Sequence, residues 1–153
     1  MINILLLLHL LGVIVWVGGM FFAHMALRPA VAELLQPPQR LPLLSGVFRR
    51  FFPWVWLSVI LIATSGALLM ALLGGFKAAW YIHAMLAIGT VMSAIFFYVY
   101  FVPFVKLKQG VASQDWQAAG MAMASIRRLV GVNLPLGLLT TCVALGGRLL
   151  GGS

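Results

Sequence analysis

Acidic residues are almost missing from this 153-residue chain: Glu33 and Asp115 are the only two. Charge of either sign is scarce, at 8% of residues, where a water-soluble domain carries about 25%. Such a surface cannot be covered by polar groups in water, which excludes a soluble enzyme and a disordered tail. The single cysteine, Cys142, can form no internal bridge and no thiolate cluster, so a disulfide scaffold is excluded too. With no carboxylate inside an apolar run, neither a carboxylate proton relay nor a two-carboxylate acid–base pair can be built there. A Ser/His/acid triad, a phosphate loop and a thiolate zinc motif are absent as well. Catalytic residues are therefore unknown, and any chemistry would belong to a bound cofactor.

What the chain has is apolar length. Hydrophobic residues make up 63% of it, and the mean hydropathy is +1.11. Spanning a bilayer takes about 20 mostly apolar residues. Four stretches qualify, at about residues 4–27, 53–73, 80–105 and 129–147, forming one membrane domain over residues 1–153. The first has no basic leader and no small-residue cleavage site, so it reads as a retained helix rather than a secretory signal.

The ten Lys and Arg give a net charge of +8. No basic run carries the interleaved aromatics of a nucleic-acid surface, so no nucleic-acid partner is expected and the charges report topology and lipid contact. Arg28, Arg40, Arg49, Arg50, Lys106, Lys108, Arg127 and Arg128 flank one side, and Lys77 and Arg148 the other. This asymmetry places both long loops in the cytoplasm and both termini outside. The expected architecture is all-α: an integral membrane four-helix bundle in a bacterial inner membrane, multi-pass, with up-down connectivity. Residues 41–52 mix Leu43, Leu44, Val47 and Phe48 with arginines and read as a segment lying flat at the headgroups before Pro53 opens the second span. Ser113 reads as the N-cap of a short helix ending near Ile126, with Asp115 in its first turn.

Each half of the chain follows one plan: a histidine near the outer end of a helix, a Pro and a basic residue near its inner end, then an Arg-Arg pair before the returning helix. These are His9, Arg28-Pro29 and Arg49-Arg50, then His83, Pro103 with Lys106, and Arg127-Arg128. Two parallel helical-hairpin repeats of this kind are commonly related by an axis along the membrane normal. His9 and His83 then lie at matching depth, about 5–10 Å below the outer surface. Gly12 and Trp16 share the helix stripe of His9, and the small residue would leave room for a flat ligand. Two opposed imidazoles suit haem iron or copper, and Lys77 and Arg148 are the outer cations that could neutralise propionates. His9 and His83 are thus the candidate metal ligands, with Gly12, Trp16, Lys77 and Arg148 as candidate cofactor contacts. The bland alternative gives both histidines, near the interface, to backbone carbonyls or a partner side chain. His24 lies roughly 22 Å further along the first helix and reads as snorkelling to the inner surface. Asn133 reads as a hydrogen-bonding link between helices, and Gly18 and Gly19 as points of close helix approach.

The stretch Leu8-His9-Leu10-Leu11-Gly12-Val13-Ile14-Val15-Trp16-Val17-Gly18-Gly19-Met20-Phe21-Phe22, closing at Leu27-Arg28-Pro29, resembles the first helix of CopD-family membrane proteins. Arg127-Arg128-Leu129-Val130-Gly131-Val132-Asn133-Leu134 and Phe51-Phe52-Pro53-Trp54-Val55-Trp56 resemble the same family. More distantly, His9, Trp16, Trp80 and His83-Ala84-Met85-Leu86 are similar to HemJ-type protoporphyrinogen oxidases, four-helix haem-associated proteins. Met85 stands where that family has a lysine, and Leu134 where it has an acid, so the residues that would handle protons are missing. The leading expectation is b-type haem between His9 and His83, serving electron transfer or redox support of haem or respiratory metabolism, with a membrane redox partner or a homodimer. The alternatives are a CopD-like protein that transports or buffers copper, and a cofactor-free accessory subunit of a larger membrane complex.

Overall fold

The computed structural model describes residues 1–150, without the side chains of Arg148 and Leu150. These residues form helices joined by short turns: α1 (Ile2–Phe22), a π-helical turn (Ala23–Leu27), α2 (Arg28–Leu34), α3 (Pro37–Leu72), a 3-10 turn (Gly75–Lys77), α4 (Trp80–Phe101), α5 (Pro103–Ala112) and α6 (Trp116–Leu150). Four composite helices are long and apolar enough to cross a bilayer: Ile2–Leu34, Pro37–Leu72, Trp80–Ala112 and Trp116–Gly147. At 1.5 Å per residue each is about 50 Å long, against a hydrocarbon core of about 30 Å, so each runs well beyond it.

Prolines set the irregularities. Pro29 has no N–H to offer the Met25 carbonyl, and one residue earlier the Arg28 N–H reaches back five residues to the Ala23 carbonyl, which makes the π turn. Pro103 similarly breaks the third composite helix at Val102, whose φ/ψ of −114°/−80° leaves the helical region. Pro53, by contrast, sits inside a continuous α3. Residues 41–52 are therefore not a separate surface segment. Leu41, Leu44, Phe48, Phe52 and Val55 recur at helical spacing and are all buried, and packing of that stripe holds the helix through the proline. The loops shrink accordingly. Met121 and Met123 lie within α6, and it is Asp115 whose carboxylate caps that helix, accepting the Ala118 N–H at 2.9 Å. The Ser113 hydroxyl instead closes α5, donating to the Gln109 carbonyl at 3.0 Å.

The hairpin partners pack most extensively, α3 on α1 and α6 on both α4 and α5. Nearly the whole core lies in the half of the bundle that carries the arginines, called here the basic end. Phe52 is its hub, stacked on Phe48 at 5.3 Å and meeting Phe104 and Phe96 edge-on at 4.7 and 5.7 Å. At the α5–α6 turn backbone meets backbone, with Gly110 so close that a Cβ there would lie 2.8 Å from the Ala119 nitrogen. In the opposite half few side chains are fully buried, Leu69 being the large apolar one.

Candidate functional site

The opposite half holds His9. Its half-buried ring crosses from α1 to α3, where Nδ1 lies 3.0 Å from Ser65 Oγ. Ser65 is 2% exposed, and its hydroxyl proton is committed to the Leu61 carbonyl one turn back. The serine oxygen must therefore accept from His9, which places the imidazole proton on Nδ1 and leaves the Nε2 lone pair available. Gly66 makes room for the ring, since a Cβ there would sit 3.3 Å from His9 Cε1. Orienting a histidine through one nitrogen while the other stays free is how proteins prepare a metal ligand.

The other expected contacts fall in different places. Gly12 leaves no open slot: α3 fills the space, with Ile62 Cγ1 2.9 Å from where a Cβ would be. Trp16 is buried in the core of the basic half, edge-on to Phe96 at 6.1 Å. His83 is half-buried on α4 and makes no side-chain hydrogen bond among the described residues. Lys77 is exposed in the 3-10 turn, and the side chain of Arg148 lies outside the described residues. Of the paired glycines, only Gly19 is a close approach, to the Phe51 ring; Gly18 has nothing within 4 Å.

The core itself contains a narrow cavity of about 50 Å³, lined by Trp16, Met20, His24, Arg28, Arg127 and Asn133 among others. His24 does not snorkel outward. It stands in the π turn and rests on α6, where a Cβ on Gly131 would lie 3.3 Å from its Cε1. Asn133 Nδ2 donates to the Met92 carbonyl at 3.4 Å, linking α6 to α4 as its residue type suggests. Its Oδ1, however, is buried with no partner. The few polar groups of this mostly apolar cavity escape a sequence reading because the π turn decides which way His24 faces. A wider recess of about 440 Å³ lies where α4, α5 and α6 meet, between Tyr98 and Ser113. Neither cavity is lined by His9 or His83.

Four long apolar helices around one aromatic core define a multi-pass α-helical membrane protein. Comparison with known families narrows this class: the copper resistance protein D (CopD) family matches residues 45–146, well over half the chain. The chain belongs to the CopD family. Ser65, His83, Arg127 and Asn133 fall within the matched region, while His9, His24 and Arg28 precede it. No curated protein and no solved structure matches the chain. No group of three His, Cys, Asp or Glu side chains converges among the described residues. Membership of a copper resistance family favours copper over haem, and nothing in the arrangement of His9 and His83 supports a porphyrin between them.

Proposed function

We propose that the chain handles copper in a bacterial inner membrane, taking up or buffering the ion on the outer side through His9. The observation that carries this reading is the hydrogen-bond chain from His9 Nδ1 to Ser65 and on to Leu61, which presents an unprotonated Nε2. Imidazole is a good copper ligand, and membership of the CopD family selects this metal among those imidazole binds. The excess of Lys and Arg on the helix segments that flank the α2–α3 and α5–α6 turns supports the orientation, with the His9 end outside. His83, at the same end of the second hairpin repeat, is the proposed second ligand.

A copper(I) titration of the detergent-purified protein against a chromophoric chelator tests this. The expected result is about one ion per chain, with affinity falling roughly tenfold or more in His9→Ala and in His83→Ala. Failure of the wild type to compete for copper(I), or no effect of either substitution, overturns the reading. Oxidised and dithionite-reduced visible spectra of the same sample are expected to be featureless, and sharp paired bands of low-spin haem would restore the haem assignment.

A further inference from the structure

The cavity at the basic end has a second, separate chemistry. Two contacts fix the register between α1 and α6: a Cβ on Gly137 would lie 2.8 Å from Val17 Cγ2, and one on Gly131 lies against His24. Because the helices run in opposite directions, the next turn brings Arg28 level with Arg127, and both line the cavity. Arg28 is half-buried and Arg127 exposed, so two like charges share the cavity mouth and attract an anion there. The chain supplies none. Its acids are Glu33, exposed beyond Arg28 on α2, and Asp115, which caps α6. Among the described residues, neither Arg28 nor Arg127 makes a hydrogen bond or ion pair, although Arg50 does bond to the Gly46 carbonyl.

Deeper in the same cavity, Asn133 is 3% exposed with an acceptor oxygen that no protein donor meets. A buried acceptor of this kind calls for a donor from outside the chain. A volume of about 50 Å³ is enough for a few water molecules. Asn133 lies six residues from Arg127, about 9 Å further in, so water at the mouth can extend to it.

We propose that Arg28 and Arg127 hold a phosphate-type oxyanion at the mouth of this cavity, with its hydrating water reaching Asn133. Arginine's planar fork suits such oxygens, and the anion is carried either by a lipid headgroup or free in solution. A bare copper cation is repelled by the same two charges, so this site is independent of the copper reading.

The test uses the full chain in phosphate-free, nonionic detergent. Phosphorus retained per chain is measured first, and then Tm with added inorganic phosphate or phosphatidylglycerol against chloride at equal ionic strength. The wild type is expected to retain phospholipid or to gain Tm with one of the two additions. Inorganic phosphate acting alone identifies a free oxyanion; retained lipid or a response only to phosphatidylglycerol identifies a headgroup. Arg28→Gln/Arg127→Gln should weaken the response roughly tenfold or more, whereas Arg49→Gln/Arg50→Gln, with the same loss of charge, should keep it. Should the glutamine pair fail to fold, Arg28→Lys/Arg127→Lys keeps the charge and should show a reduced response through loss of the fork. A wild type with neither retained phosphorus nor a Tm response overturns the proposal, as does an equal loss in the Arg49/Arg50 pair or an undiminished response in the lysine pair.

Discussion

Replacing Ser65 by alanine removes one oxygen and tests the preparation of His9 directly. In the native chain Ser65 Oγ accepts from Nδ1 at 3.0 Å, and its own proton is held by Leu61. Without that acceptor, a half-buried N–H loses its partner at a cost of about 1–3 kcal/mol. The imidazole escapes this cost by moving the proton to Nε2, the nitrogen proposed to bind copper. Gly66 still supports one face of the ring, so the histidine stays in place and the change is one of tautomer and orientation. Loss of an outer partner of a ligating histidine typically weakens metal binding by about 10–100-fold. Thr64→Ala is the matched control, since that hydroxyl is exposed and bonds only to its own helix, at the Ile60 carbonyl. Competition for copper(I) against a chromophoric chelator reads both variants. Equal affinities for Ser65→Ala and Thr64→Ala would refute the reasoning.

Further expectations concern packing and topology. Gly110→Ala should destabilise by about 1–3 kcal/mol, because the new methyl meets the backbone of Ala119, whereas Gly120→Ala, with nothing within 4 Å, should be neutral or stabilising by up to about 1 kcal/mol; thermal melts in detergent separate them. Leu107, fully buried between α5 and α6, should cost about 2–5 kcal/mol as Leu107→Ala in the same assay, and a loss below 1 kcal/mol would contradict the compact core described for that end. Gln114→Cys in a Cys142→Ser background should react with a membrane-impermeant thiol reagent from the cytoplasmic side, and labelling from outside instead would reverse the proposed orientation.

Particular residues show how far the sequence could be read. Four apolar runs were visible because a spanning segment needs only length and scarcity of charge, properties that survive averaging over neighbours. The segment Leu41 to Phe52 was harder, since Arg49 and Arg50 dilute its hydropathy and Pro53 imitates a helix start. Its buried stripe at Leu41, Leu44, Phe48 and Phe52 was nonetheless present in the spacing. Ser113 and Asp115 are both good capping residues two positions apart, and only backbone geometry separates the one that ends α5 from the one that opens α6. Gly18 and Gly19 are alike on paper; being about 100° apart around the helix, one faces Phe51 and the other faces open space.

The sequence by itself determined a membrane protein of four long helices, the asymmetry of its charge, and its resemblance to the CopD family, because these depend on composition and local order. Tertiary structure alone decided what each polar side chain meets. His9 finds Ser65, 56 residues away, and His24 is turned onto Gly131 by a π turn that one proline sets. Arg28 and Arg127 come level only through the antiparallel register of α1 and α6. The physical reason is that a helix rotates about 100° per residue, so one extra residue in a turn changes which neighbour a side chain faces while leaving its hydropathy untouched.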